Sequence, residues 1–167
     1  WRDLAIHDFD VTPWVTGQQI VEVYADGAVH QPVFRHHDDV DVAAAIFRLS
    51  GGALGIMSAG RHDPLGYDIR MEVFGSKDSV VVGLDGRTPL RSLPAGAAPS
   101  PPHGWRDFME RFDAAYRAEL AAFLQAVAEG GPSPCSGDDA RRALLVAMAA
   151  ERSRTERRPV SVAEVEN

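Results

Sequence analysis

Hydrophobic and polar positions change period twice along the chain, and each change marks a new kind of element. Leu4, Ile6, Val11 and Trp14, set among acids, predict a short irregular helix from Asp3 to about Val15. Pro13 is expected to break or restart it, because proline lacks the amide donor and its ring crowds the preceding turn. Gly17 closes the segment. The pattern then shortens to period two. Gln19 to Tyr24 is strand-like and ends at the turn signal Asp26-Gly27. A polar loop, Arg35 to Asp39, leads into Val40 to Leu49, where Val40, Val42, Ala44 and Ile46 alternate. Gly51-Gly52 predicts a hairpin, with Ala53 to Ala59 as the returning strand. Asp68 to Phe74 alternates most cleanly, with Ile69, Met71 and Val73 on one side and Asp68, Arg70 and Glu72 on the other. After a turn at Gly75 to Asp78 come Ser79 to Gly83 and, beyond Asp85-Gly86, a broken edge strand from Thr88 to Leu93, since Pro89 cannot donate to a ladder.

Four prolines between Pro94 and Pro102 predict a loop, after which the period lengthens. Phe108, Phe112, Ala115, Tyr116, Leu120, Phe123, Leu124 and Val127 recur every three or four residues, the signature of one long amphipathic helix stopped by Gly130-Gly131-Pro132. Ser136, with Asp139 three residues on, predicts a capping box for a second helix that turns Ala140, Leu144, Ala147 and Met148 to one face. Arg152, Arg154, Arg157 and Arg158 complement the negative end of its dipole, Pro159 ends it, and Val160 to Val162 predict a last short strand. The order is that of an α+β fold with an open, mainly antiparallel sheet of five or six strands and helices on one face.

Composition narrows the classes. With 167 residues, 45% hydrophobic, the chain fits one domain, taken as 1–167. A formal net charge of −7 argues against broad electrostatic capture of nucleic acid or an anionic membrane. No apolar run approaches the ~20 residues of a membrane helix, and the expectation is a cytoplasmic domain. Cys135 is the single cysteine, which excludes an internal disulfide framework. Of 17 basic residues, Lys77 alone is lysine, and it falls in a turn.

The opening helix holds the most suggestive chemistry. Asp3 and His7, four apart, share a helix face, and Asp10 follows three residues later on the same side. A carboxylate beside an imidazole fixes its tautomer, as general acid–base chemistry requires. The same residues also read as a helix N-terminus whose acids complement the dipole, with a histidine packed at its edge. His7, Asp8 and Asp10, with His36, His37, Asp38 and Asp39, offer metal-ligand types in a spacing that matches no standard motif, and no metal is assigned. Arg61 to Asp68 mixes donors, acceptors and Tyr67 in a connection between strands, which suits either a binding loop or a tight turn shaped by Pro64 and Gly66. Gly51-Gly52 with Gly55 lacks the spacing and the strand–helix context of a dinucleotide fingerprint.

Trp1-Arg2-Asp3-Leu4-Ala5-Ile6-His7-Asp8-Phe9-Asp10, with Trp14, resembles the Asp-x-x-x-His segment of the glucose–fructose oxidoreductase and inositol dehydrogenase (Gfo/Idh/MocA) family. Gly66-Tyr67-Asp68-Ile69 before Val73-Phe74-Gly75, and the tail from Ala115 to Val162, are similar to the same family. The resemblance implies the C-terminal domain of a longer NAD- or NADP-dependent enzyme, with the cofactor bound mainly by an N-terminal Rossmann domain that lies outside this chain. It implies His7 as the group that takes the substrate hydroxyl proton and Asp3 as its orienter or as a hydroxyl ligand. Asp10 and Tyr67 become further contacts to a small polyol or sugar, an inositol in the first place. It also implies a homo-oligomer formed through the sheet. The chain departs from the family at Pro13, where arginine is common, and Lys77 matches nothing in the family's lysine motif. A non-catalytic sugar-binding or structural module of the same fold is the alternative.

Overall fold

The computed structural model describes residues 1–90 and 103–166, so the predicted proline loop and the end of the predicted edge strand lie outside the described residues. The chain packs as two compact units, Trp1–His62 with Cys135–Asn167, and Asp63–Pro134. The α+β class with antiparallel pairing holds. The strands are shared between a four-stranded sheet and a separate two-stranded hairpin rather than forming one sheet of five or six.

In the first unit, helix α1 (Ile6–Thr16) is followed by strand β1 (Ile20–Ala28), a short helix α2 (Pro32–His36) where a loop was expected at 35–36, and strands β2 (Val42–Leu49) and β3 (Leu54–Gly60). Pro13 sits inside α1 without ending it, so the expected break does not occur. Thr12 and Thr16 donate their hydroxyls to the carbonyls of Asp8 and Thr12, both at 2.7 Å, and Ala5, Phe9 and Thr12 fix the helix by burial. Gly17, left-handed at φ 66°, then caps it through its N–H to the Pro13 carbonyl. Asp26-Gly27 is not a turn either: both residues lie within β1, opposite Ala44 and Ala43. Glycine is required there because a Cβ on Gly27 would meet the Val40 side chain at 2.9 Å. The Gly51-Gly52 hairpin forms as expected, with Gly52 at φ 90°.

One face of the sheet carries Val23, Ala25, Ala45, Phe47, Leu49 and Met57 into the core. Helix α5 (Gly137–Glu156) covers this face, and α1 packs beside it. The predicted capping box of α5 is present: Ser136 Oγ accepts from Asp139 N–H at 3.3 Å, and an Asp139 carboxylate oxygen accepts from Ser136 N–H at 2.8 Å. Its buried face is rotated from the expected one, however. Ala143, Val146, Ala147, Ala149 and Ala150 are buried, whereas Ala140 and Leu144 are exposed. Small side chains let the helix seat close to the sheet, so shape rather than hydrophobicity sets the register. Strand β6 (Val160–Ser161) adds to the free edge of β1, giving the order β3-β2-β1-β6. Arg152, Arg154 and Arg158 are held in ion pairs with Glu156, Glu151 and Glu164, at 2.7, 2.6 and 2.7 Å.

Because β6 is so short, β1 runs past its end, and a side chain takes over. The fully buried Ser153 hydroxyl accepts from Ala25 N–H at 2.9 Å and donates to the Arg158 carbonyl at 2.6 Å. Ser153→Ala takes its partner from the buried Ala25 N–H and from the half-buried Arg158 carbonyl at once, and a buried group left unsatisfied costs about 1–3 kcal/mol. Urea unfolding of the chain should therefore show Ser153→Ala less stable by roughly 2–4 kcal/mol. A loss under about 0.5 kcal/mol, the size of an ordinary surface change, would show the two bonds to be dispensable.

In the second unit, strands β4 (Met71–Phe74) and β5 (Ser79–Val82) form the hairpin, and Thr88–Leu90 is irregular rather than strand. The expected single long helix is two: α3 (Phe108–Arg111), capped by the Asp107 side chain, and α4 (Asp113–Glu129), with Phe112 at φ −110° between them. No side chain of α4 is buried, and its apolar stripe, Leu120, Phe123, Leu124 and Val127, is exposed.

Candidate active site

Helix α1 sorts its residues by face. Ala5, Phe9 and Thr12 point into the core, and Phe9 meets Phe47 edge to face with centroids 6.3 Å apart. That anchoring leaves Asp3, His7 and Asp10 exposed together on the other side, at the spacing the sequence suggested. Asp3 itself lies in the turn before the helix. Because Pro13 leaves α1 intact, Asp10 stays on the same helix as His7. Asp8 is more enclosed, and burial raises its carboxyl above the ordinary carboxylate range, with the neighbouring His7 working the other way.

The structure does not join Asp3 to His7 by a hydrogen bond among the described residues. Asp3 Oδ2 accepts instead from Arg61 Nη2 at 2.6 Å. Arg61 follows β3 directly, and its backbone N–H donates to the Asp41 carbonyl at 2.8 Å. Asp41 is buried. Burial alone would raise its pKa, but the amides of His30 and Gln31, each donating to the carboxylate at 2.8 Å, outweigh that and hold the group lower than usual. Trp1, Leu4, Asp39, Asp41, Gly60 and Arg61 line a shallow cleft beside this pair. Sequence reading missed Arg61 as a partner of Asp3. A lone arginine fifty-eight positions away carries no periodic signal, and only the pairing of β2 with β3 brings it there.

Tyr67 belongs to the second unit. Its N–H donates to the Trp105 carbonyl at 2.6 Å and its ring lies edge to face on Phe112, centroids 6.3 Å apart. Gly66, at φ 132°, permits this approach, since a Cβ there would lie 2.7 Å from the Trp105 carbonyl oxygen. Arg87 locks the Trp105 segment. Its guanidinium sits 3.9 Å from the indole centroid and donates to the carbonyls of His103 and Gly104 and to Glu110. Glu110 accepts from Arg106 N–H and from Arg87, which lowers its pKa to about 2. These loop-holding groups also went unread, because no spacing connects Arg87 with Trp105.

Other sequence candidates resolve simply. His36 and His37 end α2 with their rings edge to face, 5.2 Å apart. Among the described residues, no three His, Cys, Asp or Glu side chains converge as a metal site. Lys77 and Cys135 are exposed. Gly51-Gly52 joins two antiparallel strands, so these glycines form no cradle for a dinucleotide phosphate. No helix of the described residues is long and apolar enough to cross a membrane.

Comparison with known proteins gives this geometry a context. Residues 1–81 match the GFO/IDH/MocA C-terminal domain. A myo-inositol dehydrogenase of Streptomyces leeuwenhoekii is 42% identical over 93% of this chain and 47% of its own length. A crystal structure described as a probable dehydrogenase from Thermotoga maritima superposes with a TM-score of 0.87, at 36% identity, over 98% of this chain and 49% of that one. The scyllo-inositol dehydrogenase from Lactobacillus casei, crystallised with NAD(H) and scyllo-inositol, gives a TM-score of 0.83 at 26% identity, over 96% and 47%. The chain thus spans about half the length of the relatives it matches.

Proposed function

We propose that the chain belongs to the GFO/IDH/MocA family and that residues 1–167 are the C-terminal substrate-binding and oligomerisation domain of a cytoplasmic NAD- or NADP-dependent oxidoreductase. Its substrate is a small polyol, myo-inositol in the first place, oxidised at a secondary hydroxyl. The observation that carries this reading is the exposure of Asp3, His7 and Asp10 together on one side of a helix whose other side is fixed in the core. Oxidation of a secondary alcohol removes a hydroxyl proton and a carbon-bound hydride, and a bound nicotinamide takes the hydride. The share of this chain is the proton and the grip on the ring. His7 takes the proton as general base. Asp3 and Asp10 accept from neighbouring hydroxyls. Convergent acceptors and donors of this kind suit a ring that carries a hydroxyl on every carbon.

The nicotinamide is assigned to the part of the complete enzyme that this chain, about half as long as its relatives, does not span. The test compares two preparations in myo-inositol with NAD or NADP, following reduced nicotinamide by absorbance. The complete enzyme carrying this chain turns over, and the 167-residue chain alone neither binds nicotinamide nor turns over. Measurable oxidation by the isolated chain, or none by the complete enzyme on any polyol, would overturn the reading.

The open face of the four-stranded sheet supports the oligomer. Tyr24, Ile46 and Ile56 stand opposite one another across β1, β2 and β3 and are 41, 51 and 82% exposed. An apolar row of this kind marks a surface meant to be covered. Ile69, Met71 and Val73 are half-buried, Met71 and Val73 on β4. Ile46→Glu places a charge in the middle of the row, and the complete enzyme should then run as a smaller species by light scattering. An unchanged mass would place the contact elsewhere.

A further inference from the structure

Asp3 is aimed from β3 and not from its own helix. Arg61 engages one carboxylate oxygen, Oδ2, at 2.6 Å, and the Asp3 side chain remains 79% exposed. The arginine is itself secured at its root, because its N–H is tied to the carbonyl of buried Asp41, whose carboxylate in turn ties down His30 and Gln31. An exposed ion pair adds little to folding stability, since solvent screens it and two side chains lose freedom to make it. Its effect here is therefore one of direction: one oxygen, Oδ2, is held by the guanidinium, and the guanidinium contact leaves Oδ1 to other donors.

We propose that Arg61 is the positioning residue for Asp3, holding its carboxylate so that Oδ1 accepts from a substrate hydroxyl next to the one His7 deprotonates. The inference rests on the reading of α1 as a polyol site and deepens it. It places the orientation of Asp3 on an arginine of the sheet and leaves His7 without a carboxylate partner from Asp3. Removing the guanidinium lets the carboxylate swing, and a misplacement of about 1 Å in a reacting array can cost on the order of 10²-fold.

The experiment uses the complete enzyme and five variants: Arg61→Met, Arg61→Lys, Asp3→Asn, Arg61→Met with Asp3→Asn, and His7→Ala. Arg61→Met should lower kcat/KM by roughly 10- to 100-fold while its thermal midpoint stays near that of the parent. Arg61→Lys, which keeps a cation but not the planar guanidinium, should recover most of the loss. The double variant should be no worse than Asp3→Asn alone, because a residue that acts through another has nothing left to position. Arg61→Gln replaces the methionine variant should that one fail to fold. Parent-like kcat/KM in Arg61→Met alongside an impaired Asp3→Asn would overturn the role of Arg61 and leave the site standing. Additive losses would likewise overturn it, since Arg61 would then act independently of Asp3. Full polyol turnover by Asp3→Asn and by His7→Ala together would remove the site reading itself.

Discussion

His7→Ala in the complete enzyme is expected to lower kcat by roughly 10²–10⁴-fold, the range that a positioned general base contributes. The expectation follows from where the ring stands. His7 is exposed on α1, one turn beyond Asp3 and one turn before Asp10, and the helix beneath it is fixed by Ala5, Phe9 and Thr12. A base removed from a fixed array cannot be replaced by water without giving up the preformed geometry. Substrate binding should suffer less than turnover, because Asp3 and Asp10 keep their acceptors. KM for the polyol should thus move by a smaller factor than kcat. His7→Gln, which keeps a polar head but no base, should be as slow as His7→Ala. Turnover within a few-fold of the parent in both variants would make His7 a surface histidine, and the helix-terminus interpretation of the same residues would then stand.

How much of this was legible in the sequence depended on whether the signal was local. The capping box of Ser136 and Asp139 and the Gly51-Gly52 hairpin are local, and both are present. Local signals misled where tertiary packing overrode them. Asp26-Gly27 has the composition of a turn, yet the Val40 side chain needs the missing Cβ within a continuous strand. In β2 the alternation was correct but its inward side was not evident. Val42, Ala44 and Ile46 face outward, while Ala45, Phe47 and Leu49 face the core, because the sheet is apolar on both faces. Gly55 shows the same dependence on a distant partner. It is small because the Phe47 ring lies where its Cβ would be, a relation set by strand pairing across the hairpin. Arg61 beside Asp3 and, in the second unit, Trp105 beside Tyr67 each come from another element and leave no trace in spacing.

Two aromatics on α1 look alike as letters, and the structure assigns them opposite weights. Phe9 is 1% exposed and packs edge to face on Phe47, whereas Trp14 is 82% exposed. Phe9→Ala should therefore cost about 3–5 kcal/mol, from lost transfer energy and the cavity left against Phe47 and the alanines of α5. Trp14→Ala should stay within about ±0.5 kcal/mol. Denaturant unfolding of the 167-residue chain measures both. The first variant also has a consequence for the site, since Phe9 is the large side chain that fixes the orientation of α1 around its axis. Loosening it lets His7 and Asp10 rotate relative to Arg61, which is rooted in the sheet and does not follow. In the complete enzyme, at a temperature where Phe9→Ala remains folded, kcat/KM should fall although the substituted residue faces away from the substrate. Phe9→Leu, which refills most of the volume, should recover part of both losses. A Phe9→Ala chain less than about 1 kcal/mol weaker than its parent would be no worse than a typical single substitution and would mean that α1 is held by something other than this contact.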